Sequence, residues 1–249
     1  MERHQKLFYK MGAHILLKPI LEAGFDLKAS GLENIPKRGK FLIASTHRSW
    51  TDPILIAAEV ERPINFLAAS FTFYIPVIKD AYKRAGVIPL YSGEKRNEGS
   101  LRKCIQLLMQ GKPVGVFPEG VENFFSSEGE KVKIFHTGFV RIALATASPV
   151  IPCAVVAKEE VPQPQIFDKL MKLHFPQMPK SFNPNLKVIY YGKGIRIKIG
   201  KPMDLSSYYH LMHTKELLNH IAGKVRREVI KLRKAGEREL EIQENEKEE

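Results

Sequence analysis

The sequence is poor in the devices that staple a chain or carry it through a bilayer. It has only two cysteines in 249 residues, Cys104 and Cys153. Two thiols exclude a disulfide framework, and neither sits in a C-x-x-C or Cys/His spacing that would hold a metal or run redox chemistry. Such sparse thiol usage fits a reducing compartment. The two longest stretches without a charge, Pro63–Ile78 and Ile142–Ala157, are 16 residues each and contain prolines. A membrane span takes about 20 apolar residues, so no transmembrane helix is expected. The first apolar stretch is broken by Lys10 and Lys18, and no signal peptide is expected. Zinc fingers, Gly-Lys phosphate loops and aromatic RNA-binding signatures are also missing, which argues against a nucleic-acid partner.

Acidic residues are the scarcer charge, 27 Asp+Glu against 39 Lys+Arg, for a net charge of +12. Residues 236–249 hold seven Glu against Arg238 and Lys247, a local net of −5, so the first 235 residues carry +17. The acidic end reads as a frayed, solvated tail. The basic body suits phosphate-bearing partners, an anionic membrane surface among them. With 44% hydrophobic residues, the chain is long enough to bury a full core without metals or disulfides.

Hydrophobic periodicity and turn residues give the organisation. Leu7, Met11, Ile15, Leu16 and Ile20, interleaved with Lys6, Lys10 and Lys18, predict an amphipathic basic helix over about 6–21, kinked near Pro19. Such a helix is either an ordinary packed element or one that lies in a membrane interface. Strands are predicted at Phe25–Ala29, Phe41–Ser45, Gly86–Leu90, Val114–Phe117, Val150–Val156, Val188–Tyr191 and Gly194–Ile199. Helices are predicted from Asp52 to about Glu59 and over Ser100–Gln110, Thr137–Ala147 and Lys215–Lys234, with a proline-rich excursion over 158–186. Strands alternating with helices predict a single α/β domain, a mostly parallel mixed sheet flanked by helices, behind the N-terminal amphipathic helical segment. The expected division is residues 1–24, 25–235 and the acidic tail 236–249.

Two loops stand out. His47-Arg48-Ser49-Trp50-Thr51-Asp52 follows a buried strand and sets a histidine five positions before a carboxylate. A carboxylate that holds one imidazole nitrogen fixes the tautomer, so the other nitrogen can accept a hydroxyl proton. By counting alone the spacing is weak, since eight His and five Asp give about 0.16 chance matches. Asp52 also reads as the N-cap of the helix that begins at Pro53. The second loop, Phe117-Pro118-Glu119-Gly120, ends another strand, and in a parallel sheet such ends gather on the ligand-binding edge. That places Glu119 near His47.

As an ordered set, these motifs resemble the glycerolipid and lysophospholipid acyltransferases, the family that includes lysophosphatidic acid acyltransferase. Its signature is a His, four residues and an Asp, with F-P-E-G about seventy residues later, as His47, Asp52 and Phe117–Gly120 stand here. The resemblance extends through Gly31–Pro36, Ala85–Pro89, Gly138, Pro149–Pro152 and Gly200–Asp204, covering roughly residues 25 to 205.

The resemblance implies acyl transfer from an acyl thioester, acyl-CoA or acyl-ACP, to a hydroxyl of a lysophospholipid, most directly 1-acylglycerol-3-phosphate, in phospholipid biosynthesis. It makes His47 the general base, Asp52 its orienting partner, and Arg48, Ser49, Phe117, Pro118, Glu119 and Gly120 substrate contacts. No bound cofactor and no metal are implied; the thioester is a co-substrate, and peripheral or monotopic membrane association at the cytoplasmic face is expected. Val121, Glu122 and Asn123 stand where the family usually has Thr and Arg, Ser92 where it has Arg, and Ala69-Ser70 where a Lys is common. Those are the positions expected to hold an acceptor phosphate. Either Arg48, Lys79, Lys83, Arg84, Lys95 or Arg96 takes over the phosphate, or the acceptor is a neutral glyceride or another lipid alcohol. The alternative of another class is a non-catalytic basic binder of membrane or nucleic acid.

The aromatic group Phe66, Phe71, Phe73 and Tyr74 is expected to line an acyl channel or, more simply, to pack in the core. Lys169–Phe175 reads as a solvated loop or a segment that dips into a lipid surface. His210 and His213 would share a helix face if their segment were helical, but they lack a third ligand.

Overall fold

The computed structural model describes residues 2–74, 76–91, 94–120, 132–162 and 189–248. Among the expectations above, Lys169–Phe175, most of the proline-rich excursion, Ser92, Val121–Asn123 and the side chains of Phe71, Lys95 and Arg96 lie outside the described residues.

Seven strands form one sheet in the order β1-β9-β6-β2-β5-β3-β4: β1 (Lys28–Ser30), β2 (Leu42–Ser45), β3 (Asn65–Ala69), β4 (Ile88–Leu90), β5 (Val114–Val116), β6 (Val150–Ala157) and β9 (Ile195–Ile199). Every pairing in it is parallel except β6 with β9. The remaining strands, β7 (Glu160–Pro162) and β8 (Ile189–Tyr191), pair antiparallel as a separate ribbon. The helices are α1 (Glu2–Phe8), α2 (Lys18–Phe25), α3 (Asp52–Glu59), α4 (Pro76–Ala85), α5 (Glu94–Met109), α6 (Gly138–Thr146) and α7 (Lys215–Glu248).

The alternation of side chains along each strand splits the core into two layers. Leu42 and Ala44 of β2 face α5, α6 and α7, where Leu108, Ile142, Ala143, Ile221 and Val225 are buried. Phe41 and Ile43 face the other way, onto Leu55 and Ile56 of α3 and the odd-numbered isoleucines of β9. Strands buried on both faces carry no polar alternation, which is why β2 reads as an unbroken apolar run. The predicted single α/β domain with a mostly parallel mixed sheet is the observed architecture.

Several expectations are corrected. Phe25–Ala29 is not a strand throughout: α2 ends at Phe25, Asp26 turns the chain in the left-handed region (φ 49°), and β1 starts at Lys28. Strand β3, helix α4 and strand β7 were not anticipated. The N-terminal helix departs from α geometry over Tyr9–Leu17, which is π-helical, whereas Pro19 sits harmlessly in the first turn of α2. Asp52 is the first residue of α3 and Thr51 its N-cap, with no side-chain cap bond.

The acidic end is not a frayed tail. Helix α7 continues to Glu248, Leu240 is buried, and Glu239 and Glu244 meet cations on or beside the sheet. Arg196, fully buried on β9, pairs with Glu239 at 2.8 Å and with Asp26 at 2.8 Å, while Lys198 also bonds Glu239 and Lys158 pairs with Glu244 at 2.8 Å. A buried guanidinium needs such partners, because an unpaired charge inside a protein is strongly destabilising. Among the described residues no helix is long and apolar enough to cross a membrane.

Candidate active site

Because β2 and β5 are parallel neighbours in register, Ala44 opposite Val116, the loops that follow them emerge at the same edge. The His47 loop and the Phe117–Gly120 loop therefore meet. Gly115 permits the approach: a Cβ there would lie 2.3 Å from the Phe66 ring. Phe66 in turn stacks on Phe117 (centroids 5.6 Å, 14°), and Phe117 stacks on His47 (4.0 Å, 20°). The imidazole plane is thus set by an aromatic column rising from β3.

Asp52 fixes the ring's other degree of freedom. Its Oδ2 lies 3.0 Å from His47 Nδ1 and accepts the backbone N–H of Arg48 and of Ser49, each at 2.9 Å. Its Oδ1 accepts the hydroxyl of Tyr191 at 2.9 Å. Asp52 is fully buried and His47 only partly so. The oxygen facing Nδ1 already accepts two amide protons, so it acts as an acceptor there and Nδ1 carries the hydrogen. In the neutral ring the basic lone pair then falls on Nε2. The carboxylate folds the 47–49 turn and orients the base with the same atom, which replaces the expected capping role with one tied directly to His47.

Tyr191 was not anticipated as a site residue. It stands on β8, which pairs with β7 beside the same sheet edge, and burial together with the adjacent Asp52 charge pushes its phenol well above its ordinary range. Nothing in its local sequence marks it, since the contact spans 139 positions.

The other candidates divide. Glu119 does come next to His47, but as a tie between loops: its fully buried carboxylate accepts the backbone N–H of His47 at 3.1 Å and of Lys133 at 2.7 Å. Burial nonetheless pushes its pKa up, against the lowering by those two amides. Pro118 is buried and accepts the His136 N–H at 2.8 Å. Ser49 is fully buried, its hydroxyl 2.8 Å from that of Thr51. The Arg48 guanidinium forms a two-pronged pair with Glu160 of β7, Nε to Oε1 at 3.0 Å. Ser49, Pro118, Glu119 and the Arg48 guanidinium each have a partner within the protein. Phe117 and Gly120 are half-buried on the edge beside His47, with Gly120 in the left-handed region (φ 66°).

Of the cations considered for a phosphate, Lys83 and Arg84 line a recess with Gly86 and Lys112 at the opposite edge of the sheet. Lys79 is exposed on α4. The aromatic group does not act as a unit: Phe66 is buried under Phe117, Phe73 packs edge-on against Tyr82 at 5.1 Å, and Tyr74 is exposed. Burial pushes the thiols of Cys104 and Cys153 up to about 12, so neither is a thiolate nucleophile.

The family model for Acyltransferase matches residues 26–156, more than half of the chain. The chain belongs to the Acyltransferase family. The match begins at the turn before β1 and ends within β6, so it takes in both loops. Among curated relatives, the 1-acyl-sn-glycerol-3-phosphate acyltransferase of Bacillus subtilis is 32% identical over 149 residues, 59% of this chain and 70% of that one. The protein of the same name from Borreliella burgdorferi is 28% identical over 131 residues, 52% of this chain and 51% of its own. An uncharacterized protein of Mycobacterium tuberculosis is 29% identical over 157 residues. The chain spans 41% of the length of that mycobacterial relative. In fold it is similar to the crystal structure of the 1-acyl-sn-glycerophosphate acyltransferase PlsC from Thermotoga maritima, with a TM-score of 0.60 at 24% identity over 92% of this chain and 78% of the other.

Proposed function

We propose that the protein is an O-acyltransferase that moves an acyl group from acyl-CoA or acyl-ACP to a hydroxyl of a lysophospholipid, with 1-acylglycerol-3-phosphate as the acceptor. The observation that carries this reading is the His47 imidazole, held through Nδ1 by a buried carboxylate that itself takes two backbone amides and a tyrosine hydroxyl. Family membership and the names of the relatives support it.

In the proposed step, His47 Nε2 takes the acceptor's hydroxyl proton as the oxygen attacks the thioester carbonyl. Collapse of the tetrahedral adduct breaks the C–S bond, and the imidazolium returns its proton to the departing thiolate. The acyl carbon exchanges sulfur for oxygen with no net proton change and no acyl-enzyme. The two cysteines, buried with raised pKa values, give no support to a covalent route. Phe117 and Gly120 are the proposed acceptor contacts. We also propose peripheral association of the N-terminal helix with an anionic membrane at the cytoplasmic face, in the service of phospholipid biosynthesis.

A second reading has its own support. The Arg48 guanidinium is taken by Glu160, and Lys83 and Arg84 lie at the far edge, which favours a neutral glyceride or other lipid alcohol as acceptor. Purified protein assayed side by side with lysophosphatidic acid and monoacylglycerol, against both thioester donors, tests the pair. Transfer to lysophosphatidic acid is expected; transfer only to monoacylglycerol selects the second reading, and transfer to neither overturns both.

A further inference from the structure

The edge of the sheet opposite His47 has a different character. A cleft of about 690 Å³ opens there, floored by Asn65 and Pro113 at the starts of β3 and β5 and walled on one side by the N-terminal helix. Its charged lining is Lys6, Lys10, Lys37, Arg38, Arg62 and Lys112 against Glu61, six cations to one carboxylate. A second recess of about 340 Å³ continues it past Lys112 to Lys83, Arg84 and Lys103, and no carboxylate lines it.

Most of the cleft's cations have no acidic partner among the described residues. Among the described residues, Lys10, Lys37, Arg38, Arg62 and Lys112 form no ion pair. Arg62, half-buried over the Phe41 ring at 4.9 Å, donates instead to the backbone carbonyls of Pro36 and Gly39, each at 2.7 Å. Buried Arg196, by contrast, is met by Asp26 and Glu239. Like charges gathered in a concave surface with no counter-charge raise the local potential for an anion.

The wall of the cleft is amphipathic. The helix is anchored by Tyr9, whose buried hydroxyl donates to Ile64 O at 2.6 Å, and by Gln5, which donates to Ala85 O at 2.8 Å. With those residues turned inward, Lys6, Lys10 and His14 line the cleft while Leu7, Met11 and Ile15 stand at 56%, 51% and 54% exposure. An apolar ridge beside a basic cleft is the arrangement that seats a helix in the acyl boundary with the cleft's mouth at headgroup depth.

We propose that this cleft is a second binding site, for the phosphate of an anionic phospholipid headgroup. It deepens, and rests on, the peripheral membrane association proposed above. The phosphates of coenzyme A share the chemistry, but the four residues of β2 alone set the cleft about 13 Å from the His47 edge. A donor held here would have to carry its thioester around the sheet.

The test is sedimentation of the full chain with phosphatidylglycerol or phosphatidylcholine vesicles, comparing two triple variants of equal charge change. Lys10→Gln/Lys37→Gln/Lys112→Gln is expected to weaken binding to phosphatidylglycerol vesicles at least tenfold, on the scale of about 1 kcal/mol per basic residue at a membrane surface. Lys193→Gln/Lys201→Gln/Lys215→Gln, all exposed and away from the cleft, is expected to change it less than threefold. Equal losses in the two variants, or none in the first, overturn the site. Calorimetric titration with coenzyme A and with inorganic phosphate separates the sources: coenzyme A binding lost in the cleft variant assigns the phosphate to the donor and overturns the lipid. Wild-type protein that ignores phosphatidylglycerol vesicles overturns both this site and the membrane association. Acyl transfer in detergent, unchanged in the cleft variant, reports on the acyltransferase reading separately.

Discussion

The two edges of one sheet handle charge in opposite ways. At the C-terminal edge Asp52 is engaged by His47, two amides and Tyr191, Glu119 by two amides, and Arg48 by Glu160. At the N-terminal edge six cations line a cleft with one acid among them. The first edge is rigid and internally satisfied, which suits positioning a single base. The second gathers cations of which Lys10, Lys37, Arg38 and Lys112 have no ion pair among the described residues, which suits capturing an anion. The four residues of β2 hold the two edges about 13 Å apart within one domain.

The comparison breaks most readily at Asp52. Asp52→Asn offers an N–H where Nδ1–H, two amides and a phenol all need an acceptor, so the imidazole loses its tautomer. Transfer is expected to fall by about 10²- to 10⁴-fold, measured as kcat; a variant that lost thermal stability alone would return Asp52 to a structural part. Tyr191→Phe removes one donor from the same carboxylate and leaves the turn intact. About a tenfold loss in kcat with KM unchanged is expected, in line with one hydrogen bond to a charged group.

Glu119→Gln sharpens the comparison on the side of stability. The amide cannot accept from both His47 and Lys133, and the orphaned N–H costs about 1–3 kcal/mol, read by chemical denaturation. The smallest effect lies in the ion pairs that join Asp26 and the acidic end of α7 to Arg196. Burial there raises the carboxyls, but Arg196 and Lys28 beside Asp26, and Lys198 and Arg196 beside Glu239, outweigh it and hold both below their ordinary values. A lowered carboxylate stabilises the fold above its unfolded pKa, and that stability is lost as pH falls through the lower folded value. Amide exchange in the last turns of α7 is therefore expected to speed up below about pH 4 while the core strands stay protected.

Most of the sheet was legible because its strands are apolar runs between turn residues, as in Phe41–Ser45 and Val150–Val156. Strand β3 was hidden by its setting: Asn65–Ala69 begins an uncharged stretch whose second half, Ser70–Tyr74 and α4, is helical, so no single period dominates. The acidic end was misread because its glutamates look solvated until Arg196 and Lys198 of β9 are placed opposite Glu239, and Lys158 opposite Glu244. At the site, His47, Asp52 and the proximity of Glu119 were legible from motif spacing and strand order. The use of each group was not: whether a carboxylate caps a helix or orients a ring depends on where the 47–49 amides point. The Arg48–Glu160 pair was not legible, because the two residues lie 112 positions apart.

The central claim is that His47 is the base for direct acyl transfer. Single-turnover transfer from acyl-CoA to lysophosphatidic acid in detergent, by folded His47→Ala, tests it most directly. The account predicts a rate at least about 10³-fold below wild type with native circular dichroism and no acylated protein in either case. Near-wild-type transfer by the folded variant, or an acyl group trapped on the chain, would contradict it.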